Sequence, residues 1–136
     1  MALVVPNVGE LKLLDAATGK VAVENLTLKL YKNNYIPIAA SVAGDFTEAD
    51  FTDYVAKTLT TSSWGAATTV SSKASATYGS TQTWTCGASG NTIYGYYIVG
   101  ASSGTLYWAE LFASARILAS TDTLNLTPVI TLSSEN

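Results

Sequence analysis

Histidine is absent from this 136-residue chain and cysteine occurs once, as Cys86. The first absence removes the usual general base at neutral pH and the commonest metal ligand. The second rules out an intrachain disulfide and any cysteine-based zinc set. With no histidine to activate it, Cys86 reads as a small buried apolar group rather than a nucleophile. Charge is scarce as well: 12% of residues are charged and the net charge is -3. Seven basic residues spread along the chain form no stripe that could track phosphates, so no nucleic-acid partner is expected. Long apolar runs are missing, and nothing approaches the roughly 20 residues that span a bilayer, so no membrane partner is expected. The opening MALVVPNVGE has no basic segment followed by a long apolar one, so it is not read as a secretion signal. No phosphate loop, Ser–His–Asp set or zinc motif is present.

Against these absences stands a 48% hydrophobic content, with eight tyrosines and three tryptophans. A chain of this length buries a core without staples and is most simply one domain, residues 1–136. So little charge implies a surface of Ser, Thr, Ala and Gly, which desolvates cheaply against other proteins.

Short β patterns dominate. Leu26, Leu28 and Leu30 alternate with Thr27 and Lys29, as a half-buried strand requires. Thr81–Cys86, Thr92–Val99 and Thr105–Phe112 read as three successive strands across Gly/Ser turns, the last two as a hairpin. These two are apolar on both faces, so they lie between two layers or under a partner. Leu124, Leu126, Ile130 and Leu132 alternate with polar residues, and Pro128 marks an edge or a bulge. Residues 60–80 read as loops with one marginal strand around 67–71. Near the start, Pro6 argues against a central strand, so residues 2–8 read as an edge strand or an N-terminal arm, with Asp15–Gly19 as a turn. A single short helix is expected near residues 47–53, capped by Thr47 with Glu48 and Asp50 at the positive end of its dipole. Eight or nine short strands and one helical turn make an all-β fold, an antiparallel β-sandwich or a jelly-roll-like barrel.

Few groupings offer chemistry. Asp45, Glu48, Asp50 and Asp53 cluster, but their spacing lacks the glycine turn and distal glutamate of a calcium loop, and helix-start electrostatics accounts for most of them. Glu110 lies among aromatics, where it either points to solvent or meets a lysine across the strand. Neither grouping makes a catalytic or metal site, no cofactor is implied, and the chain is read as a non-enzyme. Tyr94, Tyr96 and Tyr97 could stack on a sugar ring, although aromatic strand residues more commonly form a core or a subunit interface.

Several stretches together carry a resemblance: Val5-Pro6-Asn7-Val8-Gly9-Glu10, Glu24 through Asn33, Phe46 through Phe51, Tyr54 through Leu59, Thr83 through Gly87, Ile93 through Tyr97 and Asp122 through Pro128. Over nearly its whole length the chain resembles small structural proteins of tailed bacteriophages. The resemblance implies a virion component assembled in the host cytoplasm and transfers no catalytic residue. The expectation is a decoration (cement) protein that binds and stabilises the assembled head, with the major capsid protein and copies of itself, as a homotrimer or homodimer, for partners. A tail, baseplate or head-fibre component with host-glycan contact ranks below it. Leu3, Val4, Val5, Tyr94, Tyr96, Tyr97, Tyr107, Trp108 and Phe112 are the candidate interface residues.

Overall fold

The computed structural model describes residues 3–133; Ala2, the first residue of the expected arm, lies outside them. After an N-terminal extended segment comes α1 (Asn7–Ala17), then nine strands: β1 (Leu26–Tyr31), β2 (Lys57–Leu59), β3 (Thr68–Val70), β4 (Lys73–Thr77), β5 (Gln82–Thr85), β6 (Thr92–Gly100), β7 (Leu106–Ile117), β8 (Thr123–Leu126) and β9 (Val129–Leu132). They form a four-stranded sheet in the order β2-β1-β6-β7, a three-stranded sheet β3-β4-β9 and a two-stranded ribbon β5-β8. Every pairing is antiparallel. The fold is all-β and sandwich-like.

The main core lies on one face of the four-stranded sheet. There Leu28, Leu30, Ile98 and Trp108 meet Trp84, Leu124 and Cys86 from the β5-β8 side. The alternation of Leu26, Leu28 and Leu30 points all three leucines at this core. On the opposite face Tyr31, Tyr97, Val99, Leu106 and Ala109 form a second cluster, joined by Phe46 and by half-buried Val8 and Tyr35. Strands β6 and β7 are therefore apolar on both sides because the chain itself supplies both layers. At the far end β8 and β9 are separated by Thr127 and buried Pro128, which passes the chain from the ribbon to the three-stranded sheet. A proline at this corner removes no ladder hydrogen bond.

Two elements differ from the sequence reading. Residues 7–17 form a helix rather than part of an arm and a turn. Pro6, extended at φ -69°, accepts the amide of Glu10 and so opens α1 instead of breaking a strand. Gly9 and Leu13, four residues apart, give the helix its inward side against β7 and the main core, while Leu11 and Leu14 face outward. Thr18 caps the helix, and Gly19 leaves it at φ +73°.

Residues 47–53 form no helix. Lys32 donates its amide to Thr47, Ala49 donates to Leu30, and Glu48 bridges Tyr31, so the segment runs extended beside β1. Ala49 and Phe51 turn inward while Asp50 points out, a period of two that outweighs the capping pattern. The helical turn that does form nearby is a single 3-10 turn at Ala43–Asp45.

Candidate functional site

The aromatic residues singled out as interface residues are mostly internal. Tyr96, Tyr97, Tyr107 and Trp108 are buried within the chain, which corrects their assignment to a surface. Their polar ends are spent inside. Tyr96 donates its hydroxyl to Glu110 at 2.9 Å, Tyr107 donates to Glu24 at 3.1 Å, and the Trp108 indole reaches the carbonyl of Thr131 at 3.4 Å. Tyr97 stacks on Phe46 with ring centroids 4.8 Å apart. Burial, then the neighbouring Glu110 carboxylate, pushes the Tyr96 hydroxyl well above the usual phenol range, so it stays a donor at neutral pH. Burial and the bond to Glu24 push Tyr107 up to about 12. A hydroxyl committed in this way cannot meet a sugar, and of the three neighbouring tyrosines only Tyr94 keeps partial exposure. Phe112 is half-buried, packed at the rim of the main core.

The N-terminal residues bind this chain's own sheet. Val4 exchanges two backbone hydrogen bonds with Ala109, at 2.8 and 3.0 Å, on the open edge of β7. Leu3 and Val5 pack against the core from there. The edge-strand half of the expectation holds at Val4, and the strand it augments is intramolecular.

The acidic residues are dispersed among separate structural tasks. Glu48 pairs with Lys29 at 2.9 Å and accepts from Tyr54, while Asp50 pairs with Lys32. Asp45 accepts the amide of Val42 and the hydroxyl of Tyr35. Asp53 lies in a turn at φ +71°. No three carboxylate, cysteine or histidine groups among the described residues converge on a point that would hold a metal ion. Cys86 is buried, and its thiol faces the carbonyls of Ser89 and Gly87. Glu110 meets a tyrosine, neither solvent alone nor a lysine. No helix among the described residues is long and apolar enough to cross a membrane.

Two surface features remain. The first is the outer side of the layer that covers the second cluster. Leu11 and Leu14 on α1, with Ile36, Ile38 and Val42 from the connection after β1, are all exposed, and Leu11 and Leu14 keep 64% of their accessible surface. The amide of Asn7 donates to Ala39, which ties this connection to the start of the helix. Five of the eleven exposed large apolar residues among those described thus lie on α1 and on the connection hydrogen-bonded to its start, a concentration that marks a contact surface better than scattered single residues do. Two signals in the sequence point to it: the three-residue spacing of Leu11 and Leu14, and the isoleucines that flank Pro37.

The second feature is an open cleft of about 1100 Å³ between β7 and the β8–β9 corner, lined among others by Glu110, Phe112, Arg116, Asp122 and Asn125. It lies where the four-stranded sheet ends at β7 and the ribbon ends at β8, so two strand edges border the gap. No protein-family model matches the chain, and no curated protein sequence matches it.

Proposed function

We propose that this chain is a non-catalytic capsid decoration protein of a tailed bacteriophage, which binds the assembled head and stabilises it. The observation that carries the reading is the exposed apolar layer of Leu11, Leu14, Ile36, Ile38 and Val42 on a domain whose core is already closed. The domain does not need this surface to fold, and apolar area left in water is recovered on docking to another protein at about 25 cal/mol per Å². Low charge and the absence of histidine agree with an architectural role.

The mechanism follows from mass action. A protein that binds the assembled lattice and not its free subunits stabilises the lattice against opening in proportion to occupancy. The shell-facing surface is assigned to the α1 layer, because the aromatic strands first considered are occupied internally.

Quantitative mass spectrometry of purified virions tests the placement. Hundreds of copies per particle, near a simple fraction of the major capsid protein, are expected. A few to a few dozen would move the protein to the tail, baseplate or a head fibre, and absence would sink the structural reading. Leu11→Asp combined with Leu14→Asp tests the surface. Both side chains are exposed, so the fold should persist while affinity for heads lacking the protein falls at least about tenfold.

A further inference from the structure

Strand β3 is the outermost strand of the three-stranded sheet, and no described strand lies on its free side. Neither end of the described chain borders it: Val4 pairs with β7, and Leu132 lies opposite Ala74 on the far side of β4. The hairpin of β3 and β4 is exposed over residues 65–74 without exception. Its turn fixes which backbone groups face outward. Ser71 and Ser72, at φ +50° and +64°, join Val70 to Lys73 as a two-residue hairpin loop. Such a loop is closed by a pair that exchanges both its hydrogen bonds, here Val70 with Lys73. By the alternation of an antiparallel ladder, Thr69 opposite Ala74 then points its N–H and C=O away from β4. No other described group meets them. Open strand edges are ordinarily protected by charge, proline or a cover. This one has none of the three: Lys73 is the only charged residue between Lys57 and Glu110, and it lies on β4.

We propose that β3 pairs antiparallel with β3 of a second copy across a two-fold axis at Thr69, which joins two three-stranded sheets into one. The outward groups set this register, because Thr69 of each copy donates its N–H to the Thr69 carbonyl of the other. Thr68 then lies opposite Val70 of the second copy, twice by symmetry. These two side chains share a face, so each Val70, 56% exposed in the single chain, gains a β-branched neighbour and leaves water. A second copy suits the edge because the strand is its own complement. Thr-Thr-Val is uncharged and β-branched throughout, and run against itself it sets nothing repulsive face to face. An isologous contact of this kind is closed and self-limiting. It is also small, so it is weak between free chains and strengthens where copies are held side by side. The contact lies on β3 rather than on the α1 layer, so it neither needs nor excludes shell binding.

Cross-linking and sedimentation of the purified full chain test this register. A hydrogen-bonded antiparallel pair sets its Cα atoms about 5.5 Å apart, within the span of a disulfide. Thr69→Cys should therefore form a linked dimer under mild oxidation at least about tenfold faster than Ala40→Cys, an exposed position on the connection after β1. By sedimentation equilibrium, the unmodified chain should associate reversibly at loadings up to about 1 mM. Thr69→Pro, which removes the outward amide and leaves the ladder with β4 intact, should weaken that association at least about tenfold. Thr69→Val, which keeps the amide, should change it by less than about threefold. Circular dichroism separates a lost contact from a misfolded chain, and the cross-link is read without the proline. A monomer throughout that range, equal cross-linking at the two positions, or a dimer that survives Thr69→Pro in a folded chain would each overturn the proposal. Shell binding is read on separate samples and can survive that failure.

Discussion

Glu24 lies in the connection between α1 and β1 and holds the loop of the β6–β7 hairpin. Its carboxylate accepts the amides of Ser102 and Ser103, the hydroxyl of Ser103 at 2.6 Å and the hydroxyl of Tyr107. Burial works to raise its pKa, but the hydrogen bonds from Ser103, Ser102 and Tyr107 together outweigh it and lower the value below 4.5. The clamp's contribution is therefore in place above that unfolded value and is lost as pH falls through the lower folded one. Glu24→Gln should lower the thermal midpoint at neutral pH and flatten its decline between about pH 5 and pH 3, as read by calorimetry. Parallel declines in the two proteins would show that the clamp is not what titrates. A second residue-scale expectation concerns Trp108, buried between β6 and the end of β9. Trp108→Ala should cost about 3–5 kcal/mol in chemical denaturation, and an unchanged midpoint would contradict its place in the core.

Among the elements, α1 depends on one close approach. A Cβ on Gly9 would lie 2.7 Å from the carbonyl oxygen of Tyr107 and 2.8 Å from that of Leu106, so only glycine lets the helix sit on the β7 backbone. Gly9→Ala should destabilise by about 1–3 kcal/mol. The hydrogen-exchange protection of α1 should fall while that of β1 and β6 persists. Equal protection throughout would mean that the helix docks some other way. This packing also explains what could be read from the sequence. Strands β1, β5, β6 and the start of β7 were legible because each carries its own alternation or apolar run. The helix was not, because Pro6 and Gly9 signal the end of a strand when read locally, and their use as helix opener and contact point depends on β7, about a hundred residues away. For the same reason β4 passed as loop: its sequence is Lys-Ala-Ser-Ala-Thr, and pairing with β3 and β9 makes it a strand. Aromatic density draws the candidate interface to β6 and β7, whereas those side chains fill both sides of one sheet and the exposed apolar residues lie on α1 and in residues 36–42.

As a whole molecule the protein is three layers deep at β6: the ribbon and small sheet, the four-stranded sheet, and the segment carrying Tyr35 and Phe46, with α1 beside it on β7. That depth leaves little for the surface beyond Ser, Thr and exposed apolar side chains, which bears on how it meets a shell. With a net charge of -3 and contact assigned to apolar residues, affinity for the head should change by less than about threefold between roughly 0.05 and 0.5 M salt. A steep decline would mean that unassigned charge pairs hold the complex and would move the contact away from α1.

The passage through Pro128 has a consequence in time. Strand β4 waits for β9 and strand β5 waits for β8, and both partners come after the β6–β7 hairpin. A growing chain that has reached Asp122 can already hold its four-stranded sheet, while β5 stands without a mate and the β3–β4 hairpin lacks its third strand. Such distant pairings are slow to form, because the loop must close before any contact rewards it. The ten residues from Thr123 to Leu132 act as the clasp of the fold, and until they emerge from the ribosome the Trp84 face stays open to water.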